Sequence, residues 1–243
     1  MTPGRTARFD AKKRQDMVTN MPKKHRLRPL ASLLLVIALG ACASVPGRQA
    51  PDQLVGLIQR SAPAVVGIGD GTGVLGSGFR LENTRLIVTA AHVVQALQGA
   101  PMVVWNAQKW PASLAKIDAS ADLALLEIDA GAPMPGLALA SAAQSPAPGQ
   151  WVVVLGCPFG ALPTATVGIV SALPGAVLLP AVLKDRIQLN AAINPGNSGG
   201  PVIDLDGRVI AVANATVPGG YGLGFAVPVA ALLPLLAQAG AAR

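Results

Sequence analysis

From Ala64 onward the chain is a succession of short apolar runs rich in β-branched residues, each ended by glycine, proline, asparagine or aspartate. Runs of this length are too short for helices, and their punctuation is that of strands joined by turns. One group comprises Ala64–Ile68, Gly76–Arg80, Leu86–Thr89, Met102–Trp105 and Leu123–Ile128. A second comprises Trp151–Leu155, Thr164–Ser171, Ile187–Leu189, Val202–Ile203, Val209–Ala213 and Gly224–Val227. Many short strands at such spacing call for all-β barrels or sandwiches. Two similar groups on either side of a Pro/Ala/Ser-rich link suggest two barrels. The expected layout is a first barrel over residues 54–139, a linker over 140–149, and a second barrel with a closing helix over 150–243. A short helix is expected at Asp52–Gln59. The closing helix, Pro228–Ala242, carries Pro234 as an expected kink.

The net charge is +7 and the pI about 10.0, values that at first suggest a nucleic-acid partner. The distribution of charge argues otherwise. Nine of the 19 basic residues precede Cys42, and from Cys42 onward ten basic residues face ten acidic ones. A neutral domain has no general electrostatic reason to hold a phosphate backbone, so no nucleic-acid partner is expected.

The basic leader has its own explanation. Met21–Arg28 is positive, and Ala31–Ala41 is apolar, of signal-peptide length and too short to span a bilayer as a normal helix. Leu39-Gly40-Ala41-Cys42 resembles the bacterial lipobox, in which the cysteine becomes the lipidated first residue. Residues 1–41 are therefore read as leader and lipoprotein signal peptide, with Met17 or Met21 as alternative starts. Residues 42–53 are read as a tether, ten residues of which reach roughly 33 Å when extended. A plain secretory signal with an incidental Cys42 is the alternative. The expected location is the bacterial cell envelope, lipid-anchored at Cys42 and facing the periplasm. Ala43 lacks the aspartate associated with inner-membrane retention, which favours the outer membrane. Cys157 is then left single. It is read as a small core or turn residue, since no histidine lies near it in sequence.

The chemistry centres on Asn194-Pro195-Gly196-Asn197-Ser198-Gly199-Gly200-Pro201. Glycines let backbone N–H groups turn inward and let a carbonyl approach closely. Ser198 is a candidate nucleophile, and the N–H groups beside it are candidate oxyanion donors. Alone, the stretch would read as a hairpin turn. His92 is the one histidine outside the leader and so the one imidazole available to activate Ser198. Asp122 directly abuts an apolar strand and is preferred over Asp118 as the group that orients His92. The stretch also matches the G-x-S-x-G elbow, but that fold needs a histidine after the serine, and none follows. The order His92, Asp122, Ser198 that remains is the chymotrypsin order. Gly71–Gly76 spells G-x-G-x-x-G, but no helix follows, so a hairpin loop is expected. Asn214-Ala215-Thr216 matches a glycosylation sequon by chance. No His/Cys cluster suggests a metal or cofactor, and none is expected.

These residues carry a family resemblance. Gly76-Ser77-Gly78-Phe79, Thr89–Val94, Asp122–Leu126, Gly168–Ser171, Ala191–Pro201 and Gly224–Pro228 resemble, in order, motifs of the HtrA/DegP branch of trypsin-like serine proteases. The resemblance implies two chymotrypsin-like six-stranded β-barrels with a short C-terminal helix and an active site in the cleft between them. It implies Ser198 as nucleophile, His92 as general base then acid, Asp122 as its orienter, and an oxyanion hole at Gly196 and Ser198 with Asn197. Ala191, Ala192 and Ile193 would floor the primary pocket. None is charged, so a small aliphatic residue is expected before the scissile bond. Leu189-Asn190 stands where the family usually has Thr-Asp, which alters the pocket's expected shape. Asn197 stands where digestive relatives carry an activating aspartate, so no zymogen cleavage is expected. Family members usually carry PDZ domains after the protease; with Arg243 as the last residue, a protease domain alone is expected. The function implied is a serine endopeptidase that cleaves unfolded or exposed polypeptide segments through an acyl-enzyme. A non-catalytic, chaperone-like peptide-binding module on the same fold is the alternative, and a plain structural lipoprotein a third reading.

Overall fold

Most of the apolar runs, among them Val65–Gly69, Leu86–Thr89, Leu123–Ile128, Trp151–Gly156 and Pro201–Ile203, become strands covered on both faces, which is why they read as continuous rather than alternating. The computed structural model describes residues 50–129, 131–141, 143–157, 163–176, 180, 183–216 and 222–240. The leader, the lipobox and Cys42 lie outside these residues.

The first barrel contains β1 (Val65–Gly69), β2 (Val74–Arg80), β3 (Leu86–Thr89), β4 (Met102–Trp105), β5 (Gln108–Asp118) and β6 (Leu123–Ile128). Their order is β1-β2-β3-β6-β5-β4, and β4 closes on β1 through Gly67↔Val104 and Ile68↔Val103. The second contains β7 (Trp151–Gly156), β8 (Thr164–Ala172), β9 (Ile187–Leu189), β10 (Pro201–Ile203), β11 (Val209–Thr216) and β12 (Gly224–Pro228). Their order is β10-β11-β12-β9-β8-β7, and β10 closes on β7. All pairings within the barrels are antiparallel. Three α-helices, α1 (Ala50–Ser61), α2 (Ala91–Gln95) and α3 (Val229–Gln238), and a 3-10 turn at Ala62–Ala64 complete the described residues. The fold is thus the expected all-β pair of closed six-stranded barrels with a short C-terminal helix.

Side chains along a strand alternate between faces, and here the alternation sorts them into three cores. Val66, Ile68, Ile87, Leu126 and Ile128 fill the first barrel. Val152, Val154, Val202, Ala211 and Ala226 fill the second. The intervening residues point outward into one shared layer: Val65, Val88, Leu123 and Leu125 from one barrel, Val153, Leu155, Ile203 and Val227 from the other. Leu57 of α1 and Val229, Leu232, Leu235 and Leu236 of α3 belong to the same layer. The spacing in α3 places these four on one helical stripe. Pro234 lies on its exposed side and the helix runs through it, although its ring removes one backbone donor.

Strand β5 is the element that the apolar pattern does not announce. It is mostly exposed, carries Lys109, Pro111, Ser113 and Lys116, and opposes Pro111 to Met102. Proline and charge usually mark non-strand sequence, yet pairing to β4 on one side and β6 on the other holds this run extended. The G-x-G-x-x-G stretch forms the expected β1–β2 hairpin. Asp70 organises its turn by accepting from the Thr72 N–H and hydroxyl and from the Gln98 N–H.

The shared layer makes the two barrels interdependent. Leu232 is fully buried in it, and Leu232→Ala is expected to lower unfolding free energy by about 2–5 kcal/mol through lost burial and the cavity left behind. Urea denaturation followed by circular dichroism checks this.

Candidate active site

His92 sits in the first turn of α2, immediately after β3. Its neighbours Ala91 and Val93 are buried and clamp the turn, so the His92 side chain faces out. Asp122 lies in the turn between β5 and β6 with φ of 58°, the left-handed region that aspartate tolerates better than most residues. That turn is shaped by Asp118, which accepts hydrogen bonds from the Ser120 N–H, the Ser120 hydroxyl and the Ala121 N–H. Asp118 thus orders the turn, and Asp122 meets the histidine.

The contact is two-pronged. Asp122 Oδ1 accepts from the His92 backbone N–H at 2.8 Å, and Oδ2 pairs with His92 Nδ1 at 2.7 Å. With Nδ1 as donor to the carboxylate, Nε2 is left as the basic nitrogen. The amide Nδ2 of Asn214, from β11 of the other barrel, also donates to Asp122 Oδ2. Burial alone would raise the Asp122 pKa. The hydrogen bonds from the His92 side chain and backbone, the attraction of His92 and the Asn214 amide outweigh it and hold the carboxyl below its ordinary value.

Ser198 lies in a turn that glycines make possible. Gly196 and Gly199 have φ of 94° and 88°, and a Cβ on Gly199 would collide with the Ser77 carbonyl and the Thr89 hydroxyl. The Ser198 carbonyl accepts from the Ser77 N–H at 2.8 Å, which ties the turn to β2. Gly199 N–H donates to the Ala213 carbonyl and Ala213 N–H to the Gly200 carbonyl, which tie it to β11. The Ser198 hydroxyl donates to the Asn214 carbonyl at 3.0 Å. That bond takes the place of the expected step from Ser198 to His92: the structure joins His92 to Asp122, and Asn214 links Asp122 to Ser198.

Among the described residues, neither the Gly196 N–H nor the Ser198 N–H has a protein acceptor. The Asn197 N–H donates to the Asn194 carbonyl at 2.9 Å, so that backbone donor is already engaged.

Of the expected pocket residues, Ala191 and Ile193 are buried and Ala192 is exposed. Ile193 lies against Gly224, where an added Cβ would stand 2.9 Å from Ile193 Cδ1. The segment is pinned to β8: the Ala192 carbonyl accepts from the Thr166 hydroxyl at 2.8 Å, and Asn190 Oδ1 accepts from the Ile169 N–H at 2.7 Å. Cys157 is buried, and burial pushes its thiol up to about 11. It is therefore a neutral core group near pH 7. Among the described residues no cluster of His, Cys, Asp or Glu is gathered to hold a metal ion.

Asn214 is the residue of this cluster that sequence reasoning missed as a site residue. The available signal was a polar residue interrupting the apolar run that became β11.

Residues 76–212 match the family described as trypsin-like peptidase domain. The chain is 40% identical over 158 residues to a "Probable periplasmic serine endoprotease DegP-like" of Chlamydia pneumoniae, covering 64% of this chain and 32% of that protein. It is 34% identical over 240 residues to "Serine protease HTRA1B" of Danio rerio, covering 91% of this chain and 49% of that protein. The crystal structure of the serine endoprotease from Yersinia pestis superposes with a TM-score of 0.66 at 28% identity, covering 81% of this chain and 68% of that one. The chain therefore spans a third to a half of the length of these two sequence relatives.

The acidity of Asp122 has a consequence for stability. Its folded-state pKa lies below the unfolded value of about 3.9, so its partners contribute stability that is present above that value and lost as pH falls through the folded one. Between pH 6 and pH 3 the wild type is expected to lose more unfolding free energy than Asp122→Asn, measured by urea denaturation at each pH.

Proposed function

The chain belongs to the family of trypsin-like peptidase domains, and from that premise we propose that it is a serine endopeptidase in which Ser198 is the nucleophile, His92 the general base and acid, and Asp122 the orienting anion. The observation that carries the reading is the two-pronged Asp122–His92 pair, joined through Asn214 to Ser198 on a turn whose Gly196 and Ser198 N–H groups have no acceptor among the described residues.

The chemistry follows from that geometry. The Ser198 hydroxyl leaves the Asn214 carbonyl by rotation about its side chain and turns to His92 Nε2. As Ser198 Oγ bonds to the substrate carbonyl carbon, His92 takes its proton, and the carbonyl oxygen becomes an anion that accepts from the Gly196 and Ser198 N–H groups. Removal of one such donor typically lowers kcat by about 10²–10³-fold. Asp122 stays ionised and stabilises the imidazolium. His92 then gives its proton to the leaving amine as the C–N bond breaks, leaving an acyl ester on Ser198. Water, deprotonated by His92, hydrolyses that ester and restores the enzyme.

The substrate proposed is an unfolded or exposed polypeptide segment with a small aliphatic residue before the scissile bond. The apolar, uncharged Ala191, Ala192 and Ile193 and the approach of Ile193 to Gly224 support this preference. The location proposed is the bacterial envelope, with the domain facing the periplasm and anchored, at the outer membrane, by a lipid on Cys42. The positive leader, its apolar stretch and the Leu39–Cys42 motif support it, as does the similarity to proteins named periplasmic. One observation favours the non-catalytic, peptide-binding alternative: the Ser198 hydroxyl is engaged by Asn214 rather than His92.

Labelling separates the two. A fluorophosphonate is expected to modify the wild type at Ser198, with labelling abolished in Ser198→Ala and reduced at least 100-fold in rate in His92→Ala. A wild type that stays unlabelled across pH 6 to 9 would exclude the endopeptidase. Digestion of an unfolded protein, read by mass spectrometry, is expected to place Ala or Val before most cleaved bonds. Cleavage confined to Lys and Arg would contradict the pocket assignment.

A further inference from the structure

Ser77 is wholly buried, and every polar atom it has is in use. Its N–H donates to the Ser198 carbonyl at 2.8 Å, and its carbonyl accepts from the Thr89 hydroxyl at 2.7 Å. Its hydroxyl donates to the Gly196 carbonyl at 2.5 Å and accepts from the Cys157 N–H at 2.7 Å. A serine hydroxyl has one proton to give, so the acceptor role toward Cys157 directs that proton to Gly196.

The peptide unit that receives this bond separates the two N–H groups without acceptors. Its carbonyl, on Gly196, is held by Ser77, and its N–H, on Asn197, is held by the Asn194 carbonyl. Both polar ends of the Gly196–Asn197 peptide are thus fixed, which sets the orientation of the Gly196 N–H relative to the Ser198 N–H. Gly196 has no Cβ and a φ of 94°, so local sterics restrain this peptide little and an external bond has to do so.

We propose that Ser77 is a positioning residue of the oxyanion site: its hydroxyl, set by the Cys157 N–H, locks the Gly196–Asn197 peptide and thereby aims the two donors at one oxyanion. The inference rests on the proposed endopeptidase activity. It predicts a defect confined to the transition state, because a ground-state peptide does not need the two donors aligned on an anion.

The test uses the full-length protein and a peptide substrate with valine before the scissile bond. Ser77→Ala is expected to lower kcat about 10- to 100-fold with KM changed less than about threefold. Affinity for a peptidyl trifluoromethyl ketone, whose adduct places an oxyanion at the same donors, is expected to fall by a similar factor. Ser77→Cys, which keeps a weaker donor in place, is expected to fall between Ser77→Ala and wild type on both readouts, and it carries the comparison should Ser77→Ala fail to fold. A lowered Tm with unchanged kcat and unchanged ketone affinity in these variants overturns the inference alone. Absence of turnover and of fluorophosphonate labelling in the wild type overturns the proposed function and this inference with it.

Discussion

The apolar layer between the two barrels is the constraint on which the rest of the molecule depends. His92 and Asp122 come from the first barrel, Ser198 and Asn214 from the second, and neither barrel holds the proposed catalytic set alone. Hydrogen bonds need donor and acceptor within about 3.2 Å and well aligned, so the barrels need a fixed mutual position. Outward-facing Val88, Leu123 and Leu125 meeting Val153, Leu155 and Ile203 provide one, with α1 and α3 sealing the layer. Each such side chain contributes about 1.5–3 kcal/mol by leaving water. The Ser77 N–H to Ser198 carbonyl bond and the Asn214 amide to Asp122 bond then set registration between the barrels.

Electrostatics completes what packing begins. Asp122 is partly removed from water, which by itself would favour a neutral acid, yet its partners keep it anionic. Three donors converge on it: the His92 N–H, the His92 ring and the Asn214 amide. Its left-handed backbone conformation turns both carboxylate oxygens toward α2, so one carboxylate fixes the main chain and the ring of the same histidine. The turn that permits this conformation is in turn ordered by Asp118. The two aspartates that compete in the sequence therefore divide the work between them.

Much of this was legible beforehand, and the physical reasons are specific. Eleven of the twelve strands were visible as short runs between turn residues, most plainly those buried on both faces, which appear as unbroken apolar sequence. Strand β5 was not, because it is exposed and carries Pro111, and its extended form comes from its two neighbours rather than from its own composition. The Gly-rich serine turn and the order of histidine, aspartate and serine were legible because few residue types do that chemistry. The role of Asn214 was not, because β11 brings it beside Asp122 from 92 residues away. Asn197 shows the converse limit: a residue beside the nucleophile looks like a donor in sequence, but the turn spends its N–H on Asn194. The second role of Ser77, with partners 80 and 119 residues away, has no local signature at all.

One turn of the second barrel is proposed to present a nucleophile and two oxyanion donors to a histidine of the first. A crystal structure of the protein after reaction with a peptidyl phosphonate tests it most directly. The expected result is phosphorus bonded to Ser198 Oγ, the phosphoryl oxygen within hydrogen-bond distance of the Gly196 and Ser198 N–H groups, and His92 turned toward Ser198 Oγ with Asp122 behind it. Phosphonate attached elsewhere, or a phosphoryl oxygen pointing away from both N–H groups, would contradict it.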